Sequence, residues 1–128
     1  MTAQVHEDII GALAAHFQPI LEQSPQGVYL WLDEAHKICN ERLAKLFGYT
    51  IAEWCAVPSF LGQFVAPEDQ QQFADHYYRV VSELSAPVTF WFRAVRKDGS
   101  TFLAETDMIP LVYQGHQVAY HFAREVAA

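Results

Sequence analysis

The sequence predicts an α+β fold: a five-stranded antiparallel sheet with short helices and one longer helix on one face, plus an N-terminal amphipathic helix. Three observations carry this reading. Residues 3–22 place apolar side chains at helical spacing. Residues 40–85 break into short helical segments divided by capping and stop signals. Residues 88–125 form three long β-prone segments joined by tight-turn dipeptides. Helices gathered ahead of a run of strands point to an α+β arrangement.

Within residues 3–22, Ile10, Leu13, Phe17 and Ile20 recur at spacings of three, four and three, with Ala14 and Leu21 beside them, which makes one apolar stripe. Glu7 and Asp8 lie toward the end of the helix whose dipole favours anions. Pro19 is expected to kink or end the helix near Gln18, and "QSPQG" (23–27) breaks the pattern. "GVYLWLD" (27–33) is a strand apolar on both faces, "EAHK" a turn and "KIC" a short second strand. Asn40 is the expected N-cap of a helix through "ERLAKLFG", with Gly48 as its stop. Thr50 and Glu53 have the capping-box spacing that starts a second short helix, and "VPSFLGQF" (57–64) forms a third turn or helix.

The longer helix is expected within "APEDQQQFADHYYRVVSELSAP". Pro67 suits its first position, Glu68 and Asp69 its first turn, and Phe73, Tyr77, Val80 and Leu84 share one face. Residues 88–96, 101–110 and 117–125 are the three long strands, with turns at Asp98-Gly99 and Gln114-Gly115 and with Pro110 closing the middle one. Arg96 and Lys97 keep the hairpin end soluble and discourage edge pairing. Several strands are apolar on both sides, so the sheet needs cover on both. The middle helices supply one layer. The N-terminal helix supplies the other, alone or with a copy from a dimer partner.

The 128 residues suit one domain, and a formal charge of −7 excludes the basic stripe of a nucleic-acid reader. Basic residues cluster only at Arg93/Arg96/Lys97 and Arg42/Lys45, so neither nucleic acid nor an anionic membrane is an expected partner. Cys39 and Cys55 have no CxxC spacing and read as reduced thiols of a cytoplasmic protein. No secretory signal or membrane-spanning run is seen. An aromatic content of 14% and a hydrophobic content of 52% leave more large apolar groups than a two-layer fold easily hides. Either a cavity or a partner surface is therefore expected.

Several stretches resemble, in order, the PAS domain family. They are "SPQGVYLWLD", "ICNERLAKLFGYTIAEW", "APEDQQQF", "FRAVRKDGSTF" and "AREV", together spanning about Ser24 to Val126. Two departures are the short "DEAHK" hairpin, which lacks the family's glycine, and a chain that stops directly after "AREVAA". The resemblance implies residues 24–128 as a PAS domain and residues 1–23 as a cap that dimerises. It implies a sensory and signalling module rather than an enzyme, with a small ligand or a partner protein as its input. Ligands of the family sit between the helices and the inner sheet face. For this chain that implies an apolar pocket lined by Phe47, Trp54, Phe60, Phe73, His76, Tyr77, Phe90 and Phe92, unless these rings only fill the core, as in a ligand-free interaction module.

The cofactor stays open. In haem-binding members a histidine on the longer helix ligates iron, which singles out His76, although the residues around it do not follow the haem pattern. In flavin photosensors the reactive cysteine matches a position near Ser59, so Cys55 stands four residues early and no cysteinyl adduct is expected. Glu105 and Asp107 share a strand face and read as a solvated pair beside Arg93. A rival reading is a cone-shaped enzyme of the ketosteroid-isomerase or dehydratase type, with His76 and Asp107 as acid and base. The early Tyr29–Cys39 hairpin fits that fold poorly. Motif spacing offers no catalytic set and no metal cluster, and Asp33 and Asn40 are expected to satisfy backbone groups.

Overall fold

The computed structural model describes residues 2–126. Its strands are β1 (Gly27–Asp33), β2 (His36–Cys39), β3 (Val88–Val95), β4 (Thr101–Tyr113) and β5 (His116–Glu125), all antiparallel, in the order β2-β1-β5-β4-β3. Its helices are α1 (Thr2–His16), α2 (Gln18–Gln23), α3 (Glu41–Phe47), α4 (Ile51–Cys55), α5 (Phe60–Phe64) and α6 (Gln70–Tyr77). A 3-10 turn, Pro67–Asp69, leads into α6, and a π-helical turn, Tyr78–Ser82, continues it.

Strand alternation divides the sheet into two faces. Tyr29, Phe90, Phe92, Ala104, Met108, Ala119 and Ala123 point to the inner face, where Leu43, Phe47, Trp54, Phe64 and Phe73 of the helices meet them in the larger core. Leu30, Leu32 and Val118 point outward and are covered by Ile9 and Leu13 of α1. The N-terminal helix thus covers the β1–β5 part of the outer face from within the same chain, while Trp91 on β3 remains exposed.

Local signals explain most boundaries. Asn40 caps α3 by accepting from the Leu43 N–H at 2.9 Å. The same amide accepts from the Val28 N–H at 3.0 Å and donates to the Gln26 carbonyl at 3.0 Å, so it joins the helix start to β1. Gly48 ends α3 at φ 85, and Thr50 with Glu53 forms a complete capping box on α4. Gly27 allows a close approach: a Cβ there would lie 2.7 Å from Leu43 Cδ2.

The break expected beside Pro19 is present: α1 ends at His16, and Pro19 sits in the first turn of α2, where a missing N–H has no intrahelical partner to lose. Three other expectations are corrected. The longer helix is α-helical only to Tyr77. The π turn shifts the angular phase of the residues after Tyr77, so Val80 and Val81 are buried while Leu84 is exposed at φ 52. Pro110 does not close β4, which continues to Tyr113. Pairing with β3 ends at Met108, so beyond it one side of β4 is a free edge on which a missing N–H leaves nothing unpaired. Finally, Asp98-Gly99 is part of a three-residue loop. Arg96 pairs with Ser100, the Gly99 N–H donates to the Arg96 carbonyl, and Gly99 takes a positive φ while Asp98 does not, the pattern of a turn ending in a G1 bulge. Its tip is docked rather than free: the Lys97 N–H donates to the Phe47 carbonyl and its ammonium meets Glu53 at 2.8 Å.

Candidate ligand cavity

The inner sheet face and the helices do not close completely on each other. A cavity of about 160 Å³ lies between Tyr29, Trp31, Ala119 and His121 of the sheet and Phe60, Leu61, Phe73, Ala74 and Tyr77 of α5 and α6, with Glu34 at the β1–β2 turn. The small side chains Ala74 and Ala119 leave the room. An apolar cavity of this size accommodates a molecule of about one aromatic ring.

Three lining residues carry polar atoms without a hydrogen-bond partner among the described residues: Tyr29 through Oη, Trp31 through Nε1, and His121 through both ring nitrogens. The His121 ring is 2% exposed and stacks on Tyr29 at a centroid distance of 4.0 Å and 9° between planes. Burial pushes the His121 imidazole down to about 3, so it is neutral at pH 7, with one N–H donor and one acceptor nitrogen. Burial likewise pushes the Tyr29 phenol upward, keeping its proton. Its polar neighbour is Thr106, whose hydroxyl donates to the Phe122 carbonyl at 3.0 Å and keeps acceptor lone pairs on the Tyr29 side, although the two oxygens form no hydrogen bond. Buried polar groups are ordinarily paired, and each unpaired one costs about 1–3 kcal/mol. A cluster of such groups around one cavity is therefore an arrangement that a polar-headed ligand would complete.

The rim is fixed by a second set of contacts. The Glu34 carboxylate accepts from the Phe60 N–H at 2.8 Å. The buried Lys37 ammonium donates to the Val57 carbonyl at 2.5 Å and to the Glu34 carbonyl. Burial lowers the Lys37 ammonium from its ordinary value against the opposing charge of Glu34. Together these bonds hold the β1–β2 turn against α5.

Of the eight residues expected to line a pocket, Phe60, Phe73 and Tyr77 stand on this cavity's wall. Phe47, Trp54 and Phe92 are buried in the aromatic core outside it; Trp54 stacks on Phe64 at 5.1 Å. Phe90 meets Phe73 edge-on at 5.3 Å and stacks with His76 at 4.1 Å. The helical step explains His76: from Phe73, four residues turn about 40° and three turn about −60°, so Tyr77 follows Phe73 to the cavity while His76 swings toward β3. Half-burial, then the Arg79 charge, lower the His76 imidazole.

His76 and Asp107 are also separated by the sheet. Asp107 lies on the outer face, where it accepts from Arg124 at 2.9 Å and from Thr89 at 2.6 Å. The partner of the Glu105/Asp107 pair is thus Arg124, whereas Arg93 reaches Glu68 at 4.0 Å. Both cysteines are free thiols. The two thiols share a hydrogen bond that pushes Cys39, the more buried, up and draws Cys55 down. Ser59 caps α5. Among the described residues no helix is long and apolar enough to cross a membrane.

The sequence reading missed Tyr29, Trp31 and His121. Tyr29 and Trp31 alternate in a strand that is apolar on both faces, which hides which face is functional. His121 does carry a signal: it is a histidine between inward-facing Ala119 and Ala123.

A family model described as the PAS fold matches residues 36–122. No curated protein matches the chain. Among solved structures, the PAS domain of a LuxR-family transcriptional regulator from Burkholderia thailandensis, described in complex with ethanol, superposes with a TM-score of 0.70. It is 16% identical, over 88% of this chain and 98% of that one. The PAS domain of an HTR-like protein from Haloarcula marismortui gives 0.63 at 19% identity, over 96% and 99%. A Vibrio cholerae VqmA dimer, described among LuxR-type receptors, gives 0.66 at 15% identity, over 88% and 51%. At these identities the likeness is one of fold.

Proposed function

The chain belongs to the PAS fold family, and on that premise we propose that it is a sensory and signalling module, not an enzyme, that binds a small and mainly apolar ligand between α5, α6 and the inner sheet face. One observation carries the reading: the unpartnered polar atoms of Tyr29, Trp31 and His121 surround a mainly apolar cavity with Glu34 at its rim. The ligand would have a ring-sized apolar body and a group able to hydrogen-bond to neutral His121. The solved relative in complex with ethanol supports a small ligand of this kind. Binding can signal only if the ligand prefers one of two states. The β1–β2 turn, held to α5 through Glu34 and to the preceding loop through Lys37, is where such a preference would act. The free thiols support work in a reducing, cytoplasmic compartment.

The same proposal includes a homodimer formed through the N-terminal helices. Val5 of α1 and Ile20 of α2 are exposed apolar side chains on that segment, and one solved relative is described as a dimer.

Two measurements test the proposal. Protein purified from its native host is examined by absorbance and by mass spectrometry of the denatured supernatant. One compound near equimolar amount is expected, and its loss in His121→Phe. A colourless protein with no bound compound would favour the ligand-free interaction module instead. Light scattering of Val5→Glu/Ile20→Glu should show a dimer falling to a monomer. A double variant that stays dimeric places the interface elsewhere.

A further inference from the structure

His6 of α1, Asp33 at the end of β1 and His36 at the start of β2 converge at one corner of the molecule. His6 Nδ1 lies 2.5 Å from one carboxylate oxygen of Asp33, and His36 Nδ1 lies 2.7 Å from the other. One ligand atom from each of the three residues lies within 4.8 Å of the other two. A fourth imidazole, His116 at the start of β5, stands edge-on to His6 with ring centroids 5.4 Å apart. No short motif announces this group, because it draws on four separate elements.

We propose that His6, Asp33 and His36 form a binding site for a divalent transition metal of the zinc class. Two imidazoles and one carboxylate are a donor set for borderline metals and leave a coordination position for water or for His116. The two Nδ1 atoms already point at one carboxylate. An ion that displaces the protons they share with it would find donors nearly in place: a tetrahedral zinc shell sets its ligand atoms about 3.4 Å apart, so the nitrogen–oxygen separations need only widen slightly. The side chains are 21%, 34% and 15% exposed for His6, Asp33 and His36, so an ion can reach them from solvent. The carboxylate is oriented from behind as well: the Ala35 N–H donates to Asp33 Oδ1 at 2.9 Å, the kind of supporting bond that metal ligands usually have. The bound ion would pin α1 to the β1–β2 hairpin. That hairpin bears Tyr29, Trp31 and Glu34, so occupancy of the corner would also stiffen one wall of the cavity.

The test is calorimetric titration of the chelator-treated full chain with Zn2+, alongside His6→Gln, His36→Gln and the control His76→Gln. One ion per chain is expected, with a rise in melting temperature that chelator reverses. His76→Gln should bind like wild type. Losing a ligand should weaken binding by more than the ~10–100-fold seen on loss of a supporting partner. Because either ligand substitution also breaks a bond to Asp33, imidazole NMR of the unaltered protein supplies the second reading. Zn2+ should shift the His6 and His36 ring resonances and leave His76 and His121 in place. Absence of binding to wild type, undiminished binding in both ligand variants, or shifts confined to other histidines would each overturn the proposal.

Discussion

Lowering the pH from 7 to 5 is expected to remove about 2 kcal/mol of stability through His121 alone. The unfolded imidazole titrates at its ordinary 6.5, and the folded one is held down to about 3 by burial. Between those values the unfolded chain binds a proton that the folded chain does not, so stability falls as the pH falls. The slope approaches roughly 1.4 kcal/mol per pH unit well below 6.5, is about half of that at 6.5, and fades to zero about a unit above it, where the ring is neutral in both states. The carboxylates of Asp33, Glu105 and Asp107 are lowered by hydrogen bonds that outweigh burial, and their contributions are lost only at still lower pH. Urea unfolding at pH 7, 6 and 5 of wild type and His121→Phe separates the two sources. The wild-type midpoint should drop steeply and the variant's much less. Parallel decline of both would refute the assignment. A ligand that hydrogen-bonds to the neutral ring should raise the wild-type midpoint at all three pH values and leave its slope with pH unchanged.

Asn40→Ala should destabilise the protein by about 3 kcal/mol. The loss has two parts. Removing an N-cap costs about 1 kcal/mol. Leaving the Val28 N–H and the Gln26 carbonyl without their Asn40 bonds adds about 1–3 kcal/mol. Asn40 is 4% exposed, so water has little access to replace the amide. Asn40→Asp keeps the two accepting bonds and loses only the donated one, and it should recover more than half of the loss. Denaturant unfolding checks both variants. A loss below about 1 kcal/mol in Asn40→Ala, with unchanged denaturant slope, would mean that the amide is no more than a helix cap.

The elements that sequence reading places well are those governed by local chemistry. Asn40, Gly48 and the Thr50–Glu53 pair fix helix ends through bonds within a few residues. Gly99 and Gly115 sit where the backbone needs a positive φ. The misplaced features depend on tertiary context. Whether Pro110 ends a strand depends on where β3 stops. Whether Leu84 is buried depends on a π turn that no spacing shows. The candidate site was legible in the same proportion. Phe73 and Tyr77 follow from helical periodicity, but Tyr29 and His121 become neighbours only when β1 pairs with β5. The His6, Asp33 and His36 group likewise requires α1 to fold back over the sheet.

The strand order has a consequence for how the molecule is made. β1 and β5 are neighbours at the middle of the sheet, yet their paired residues are about ninety positions apart. Until β5 has left the ribosome, β1–β2 and β3–β4 are two hairpins with no strand in common, and each shows an unpaired edge to the cell. An isolated hairpin is marginal in water, and a contact over so long a loop forms late. The nascent chain therefore stays aggregation-prone until β5 is synthesised, and a ribosome that stalls before His116 releases two half-sheets instead of a smaller version of the fold.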